Sequence, residues 1–329
     1  MDTSCKKVIL GLFVLDKIIT SESERSLSIN TENSDLSLGG PPTFMLFISD
    51  IFRELIPVME EPILFAYISK QTRELLDNLS IFEEKNSQLI PCYKSPNFIL
   101  DYSRPSTERN LMLFDPPGEF NCNPFIWQFD KPPILIISSV YQEFNSSEIF
   151  SFLRNKGSFL VFDPQGCFRK ISSDGKIIYS EWFSREILSQ INCIKLADSE
   201  AILLGLGNDL VDITQQLLAI ASNYVIITKG KKGALLGIKS ITLEKKSIFS
   251  VPSYPVDNVI NETGAGDVFL YSFVSFLQIL EDELEAIAYA TSLVSMLIEY
   301  GFDKEKYILH EIKYRQKVIR SRIKNISPD

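Results

Sequence analysis

The sequence predicts an α/β protein: a mostly parallel central sheet with helices on both faces, a three-layer sandwich. Two observations carry that expectation. Short runs of branched and aromatic residues alternate with longer stretches of helical periodicity through most of the chain. The composition, 45% hydrophobic and 23% charged over 329 residues, supplies ample core and excludes long disorder, collagen-like repeats and coiled coil.

In chain order, residues 8–14 read as the first buried strand and 43–56 as the first helix. Strands at 63–68, 134–138, 159–162, 193–196 and 225–228 follow, separated by helical patterns at 72–84, 147–155, 182–189 and 209–221. Two long helices come next, near 265–280 and 284–298. The first is apolar almost all round (Val268, Phe269, Phe273, Phe276, Leu277), as a helix packed inside a domain is. Two stretches break the alternation. Residues 20–37 are polar and Ser-rich, and 93–117 hold two strand-like runs around Arg104-Pro105-Ser106. They predict a small β appendage, from about 17–37 and 93–117, set over one end of the sheet within a single domain. Two ordinary surface loops are the plainer alternative. The basic tail, with Lys313, Arg315, Lys317, Arg320, Arg322 and Lys324, reads as a solvated helix face.

Charge and residue counts remove several classes of function. A net charge of −9 argues against nucleic acid as the main partner, because phosphate binding needs clustered positive charge. Five widely spaced cysteines without a CxxC pair read as reduced thiols rather than a disulfide frame or zinc site. His310 is the single histidine, so a His base or His-rich metal centre has nothing to work with. Lys6-Lys7 before an apolar run imitates a signal peptide. The run is short, closes at Asp16 and lacks a small-residue cleavage site, and no segment suits a membrane span. The expectation is a cytoplasmic protein with no membrane partner.

The most informative stretch is Asn261-Glu262-Thr263-Gly264-Ala265-Gly266-Asp267, running straight into the apolar helix. Gly264 and Gly266 permit a tight turn and close approach to backbone amides. A helix start offers unpaired N–H groups and about half a positive charge, a ready anion site. Asp267 falls in the first turn, where a carboxylate beside a bound phosphate can take the proton of an attacking hydroxyl. From these residues alone, Asp267 can equally be a helix-stabilising first-turn acid. There is no P-loop motif and no His-Arg-Asp loop, and Gly205-Leu206-Gly207 lacks the third glycine of a dinucleotide fingerprint.

The Gly264–Asp267 motif resembles the signature of the ribokinase-like (PfkB) carbohydrate and nucleoside kinases, and four further segments agree in order. Gly11 through Asp16 resembles a first strand ending in a substrate-binding acid, and Gly39-Gly40-Pro41 the early Gly-Gly motif. Asp163-Pro164-Gln165-Gly166 with Arg169 resembles a segment of the sugar-kinase and inositol-kinase branches. Thr228-Lys229-Gly230-Lys231-Lys232-Gly233 resembles the Thr-x-Gly-x-x-Gly nucleotide loop.

The resemblance implies transfer of the γ-phosphoryl group of ATP, with Mg2+, to a hydroxyl of a sugar, an inositol-like polyol or a nucleoside. Asp267 would be the base, and the loop of Gly264, Ala265 and Gly266 the anion hole, where one donor is worth roughly 3 kcal/mol. Thr228, Gly230, Gly233 and Lys195 would line the nucleotide, and Glu200 would help hold the metal through water. Asp16, Gly39 and Gly40 would bind the acceptor under a β lid, with Glu143, Asp163 and Arg169 as further candidates. The same resemblance leaves room for a homodimer through the lid. Two positions depart from the pattern. Ala197 stands where Asn is usual, and Asn261 stands for Asp in a region tied to monovalent-cation sites, so potassium activation is not expected. The competing reading is a nucleotide- or sugar-binding regulatory member of the same fold that has lost transfer.

Overall fold

The computed structural model describes residues 5–19, 36–56, 58–79, 87–101, 110–220, 222–239, 245–260 and 262–327. Its strands, in chain order, are β1 (Lys7–Leu12), β2 (Val14–Ile19), β3 (Ser37–Gly39), β4 (Ile63–Ile68), β5 (Gln88–Pro91), β6 (Asn97–Asp101), β7 (Asn110–Phe114) and β8 (Ile134–Ser138). There follow β9 (Phe159–Asp163), β10 (Arg169–Ile171), β11 (Ile177–Tyr179), β12 (Cys193–Ala197), β13 (Tyr224–Thr228), β14 (Ala234–Lys239), β15 (Lys246–Val251) and β16 (Lys324–Asn325). The helices are α1 (Pro41–Leu55), α2 (Lys70–Leu79), α3 (Ser147–Asn155), α4 (Arg185–Leu188), α5 (Asp198–Ile202), α6 (Leu210–Ile220), α7 (Ala265–Leu280), α8 (Glu283–Tyr300) and α9 (Leu309–Arg320).

Ten strands form the central sheet in the order β16-β15-β14-β13-β12-β9-β8-β1-β4-β5. From β13 to β5 every pairing is parallel, and β14 to β16 add an antiparallel edge. Alternation along each strand sorts its residues to two cores. Ile9, Ile136, Val161, Cys193 and Ile226 face α1, α7, α8 and α9, while Leu10, Ile137, Phe162, Ile194 and Ile227 face α3 to α6. A parallel sheet buried on both sides needs this unbroken apolar content. Helix α7 sits in the first core with Val268, Leu270, Phe273 and Val274 fully buried.

A second sheet, β3-β2-β6-β7, stands apart from the first. β6 and β7 lie in the 93–117 stretch, whereas β2 precedes the polar 20–37 stretch and β3 shares only Ser37 with it; residues 20–35 and 102–109 lie outside the described residues. The small sheet starts earlier than expected: residues 8–14 are not one strand, because β1 ends at Leu12 and the chain turns at Phe13 into β2. Asp16 therefore lies in the small sheet rather than at the tip of the central one. A hairpin of β10 and β11 buttresses the edge strand β7. The Leu113 amide donates to the Gly175 carbonyl (3.3 Å), and Met112 bridges to Lys176.

Other differences have local causes. The helix expected over 182–189 shrinks to α4, which is capped by Ser184 and closes after one turn. The strands β14 and β15 were missed because Gly237 and the lysines at their ends blur the alternation. Gly237 is needed where α6 crosses, since a Cβ there would lie 2.4 Å from Thr214. The basic tail is not simply solvated: on α9, Arg315 is buried, ion-paired to Glu299 (2.5 Å) and Glu311 (2.8 Å), and stacked against Tyr254 and Tyr300.

Candidate active site

All parallel strands end on one edge, and there the strand order changes direction. From β1 the chain builds β4 and β5 on one side, then returns to place β8 and β9 on the other. Open α/β sheets bind ligands at such a switch point, outside the carboxyl ends of the strands. The start of α7 lies against the ends of β8 and β12, where Asp267 meets Ser138 and Gly266 meets Lys195. Gly264, with φ of 79°, turns the chain into the helix, and a Cβ there would lie 2.3 Å from the Phe44 ring of α1. No other residue fits that backbone and that contact.

Asp267 sits one turn into α7, and its Oδ1 accepts a hydrogen bond from Ser138 Oγ at the tip of β8 (3.0 Å). Ser138, Asp163 and Lys195 form one row across adjacent strands. Ser138 pairs with Asp163, and the Ile194–Phe162 pairing sets Lys195 beside Asp163. Lys195 and Asp163 make a buried ion pair (Nζ–Oδ2 2.7 Å). The ammonium rises against α7, since a Cβ on Gly266 would lie 2.6 Å from Lys195 Nζ. Burial, then the neighbouring Asp163 charge, pushes the Asp267 carboxyl up to about 7, while Lys195, the Ser138 hydroxyl and Arg169 oppose the rise. Burial alone would depress Lys195, but Asp163, Glu200 and Asp267 outweigh it and hold the amine charged. A carboxyl that titrates near neutrality beside a helix N-terminus suits a proton acceptor.

In the small sheet, Asp16 of β2 leans over Gly39 of β3, where a Cβ would lie 1.9 Å from Asp16 Oδ2. Gly40, with φ of 85°, presses on the Leu12 carbonyl and leads into α1. Burial raises the Asp16 carboxyl to about 7, and the charge of Arg169 opposes that rise. Arg169 is buried, donates Nη1–H to the Val140 carbonyl (2.9 Å) and lies over the Phe98 ring of β6. Glu143 is occupied locally. Its carboxylate takes the amides of Val140 and Tyr141 (both 2.7 Å) and the Ser139 hydroxyl, so it shapes its own loop.

At the β13 edge, Thr228 closes the strand and donates to the Leu196 carbonyl (3.3 Å). The turn of Gly230–Lys232 follows. At Gly230 no atom lies within 4 Å of a Cβ, leaving open space, whereas Gly233 is pressed against Val251 and Pro252. Glu200 is buried and accepts from the Ala197 amide (2.7 Å), capping α5. Asn261 lies outside the described residues. Among the described residues no three carboxylate, thiol or imidazole groups gather as a metal cage. Ser138 and Phe44 were missed in the sequence. A polar residue ending an apolar strand is the one signal that could have found Ser138.

The sheet covered by helices on both faces, with its small second sheet, has a ribokinase-like fold. Residues 179–301 match the model of the pfkB family carbohydrate kinase. No curated protein matches the chain in sequence. Solved structures do match in fold. A pyrophosphate-dependent kinase in the ribokinase family, complexed with a pyrophosphate analog and myo-inositol, has 17% identity, a TM-score of 0.67, and covers 91% of this chain and 98% of its own. The Arabidopsis thaliana ribokinase complexed with ribose and ATP has 13% identity and a TM-score of 0.65, covering 96% and 99%. The Burkholderia thailandensis nucleoside kinase in complex with inosine has 17% identity and a TM-score of 0.67, covering 95% and 97%. Among the described residues no helix is long and apolar enough to cross a membrane.

Proposed function

We propose that the protein transfers the γ-phosphoryl group of ATP to a hydroxyl of a small sugar, an inositol-like polyol or a nucleoside. The observation that carries this reading is the Asp267 carboxyl, bonded to Ser138 at the switch point and lying in the first turn of α7 behind the Gly264 turn. The open space at Gly230, next to Thr228, supports nucleotide binding along the β13 edge. Asp16, Gly39 and Gly40 hold the acceptor beneath the small sheet, with Arg169 behind them.

Asp267 takes the proton of the acceptor hydroxyl as that oxygen bonds to the γ-phosphorus. The bond to the β,γ-bridging oxygen breaks, and its electron pair leaves with ADP. The amides of Ala265 and Gly266 receive the charge on the transferring group. Magnesium would come with the nucleotide phosphates and neutralise charge on the transferring group, and Glu200 would help hold it, since Asp163 is engaged by Lys195. The small sheet acts as a lid that keeps water out, and both substrates are small soluble molecules met in the cytoplasm.

The test is an ADP-release screen over polyols, pentoses, hexoses and nucleosides with ATP and magnesium. Asp267→Asn should lower turnover by about three orders of magnitude or more while leaving ATP affinity within a few-fold. Turnover retained within a few-fold would remove Asp267 as the base, and the absence of transfer to every acceptor would leave only a binding protein. Chelation of magnesium should abolish turnover reversibly.

A further inference from the structure

Lys195 and Ala197 lie two residues apart on β12, so both point to the α7 side of the sheet. Ala197 has no polar side-chain atom. Lys195 instead carries a full positive charge to the underside of the anion loop. Its Nζ is 2.7 Å from Asp163 Oδ2 and only 2.6 Å from where a Cβ on Gly266 would stand, and its side chain is 4% exposed. The charges around it come from every neighbouring element: Asp163 of β9, Glu200 of α5, Asp267 of α7, and Arg169 at the start of β10.

A buried ion pair is a poor device for stability, since an apolar pair of the same volume often does as well. Its position here suggests another use. Gly266 is the residue whose amide heads the helix, and the space a side chain would need is filled by an ammonium. Charge placed in a dry, fixed site acts strongly on charge that develops nearby, with no reorganisation during reaction.

Resting on the kinase reading above, we propose that Lys195 is a positioning residue for phosphoryl transfer. Held by Asp163 under Gly266, it is the fixed cation that strengthens the anion hole from below. It gives up no proton. The bonds made and broken are those of the transfer step, and Lys195 lowers the energy of the charge passing through it.

Lys195→Met alone would leave the Asp163 carboxylate buried without its cation and destabilise the fold. The informative comparison is therefore Asp163→Asn against the double variant Asp163→Asn/Lys195→Met, in which both charges are gone and the fold is kept. The double variant should lose at least a further tenfold, and about a hundredfold at most, in kcat, with the acceptor KM within about threefold. Its affinity for ADP with aluminium fluoride should fall by a similar factor, while affinity for ADP alone stays within about threefold. If the double variant matches Asp163→Asn within about threefold in kcat and in aluminium fluoride affinity, Lys195 is a structural partner of Asp163 and nothing more. If the native protein transfers phosphate to no acceptor and does not bind ADP with aluminium fluoride more tightly than ADP, the kinase reading falls and this inference with it. Native transfer beside an unaffected double variant overturns the inference alone.

Discussion

Two carboxyls, Asp16 and Asp267, are held near pH 7 by burial, and the sign of their effect on stability follows directly. In the folded protein they keep protons that the unfolded chain releases near pH 4. Stability therefore declines as pH rises from about 4 to about 7, and is flat above that range. Glu143 and Glu200, also raised by burial, act in the same direction. Asp267→Asn should make the protein more stable at pH 8 by about 1 to 2 kcal/mol, a reduced figure because Asp267 stays partly exposed. The gain should vanish at pH 4, and denaturant unfolding at the two pH values checks both. With Asp267 as the proposed base, the same titration should show in activity. A base near pH 7 gives turnover that climbs through neutrality and levels off on the alkaline side.

At the scale of elements, the helix start and the turns before it are held by glycines that no other residue replaces. Gly264→Ala must adopt a left-handed backbone and displace the Phe44 ring, at a cost of about 2 to 5 kcal/mol measurable as a fall in denaturant midpoint. Phe273→Ala in the middle of α7 should cost about 3 to 5 kcal/mol through its cavity alone. It should leave the order of acceptor preference unchanged. These elements were also the most legible in the sequence. The bounds of α7 and α3 follow from apolar periodicity and a Gly-rich or Ser cap, and the parallel strands from their unbroken apolar runs. What could not be read depends on contacts between distant segments. The Lys195–Asp163 pair exists because β12 and β9 are neighbours in a particular register. The occupation of Glu143 by its own loop depends on Gly166 packing against Ser139 and Tyr141, where a Cβ would lie 2.4 Å from Ser139 Oγ. Arg315, read as a surface charge, is buried because α8 and the segment after β15 supply carboxylates and rings that no local pattern announces.

Across the whole molecule, the small sheet is tethered at two places. On one side β2 leaves β1 through Phe13 alone, and on the other β7 is bonded to the β10–β11 hairpin that begins with Arg169. The guanidinium of Arg169 also stacks on Phe98 in the same sheet. With the small sheet as the proposed lid and Arg169 linked to it, acceptor binding should slow amide exchange in β2, β6 and the hairpin together. Exchange that slows in β2 and β6 while the hairpin is unchanged would separate the two. Shortening the turn at Asp174-Gly175 should raise the acceptor KM several-fold with little change in the KM for ATP.

The ring of Phe44 has a consequence at this scale as well. It belongs to the helix that begins directly after Gly39 and Gly40, yet it rests on Gly264 at the entrance to the transfer loop. On the proposed reading, the residues that hold the acceptor and the loop that receives the phosphoryl group are joined through this one contact. Acceptors of a new size would then be met by reshaping the small sheet, so variation in specificity should collect in β2, β6 and β7 while Phe44 and Gly264 stay constant.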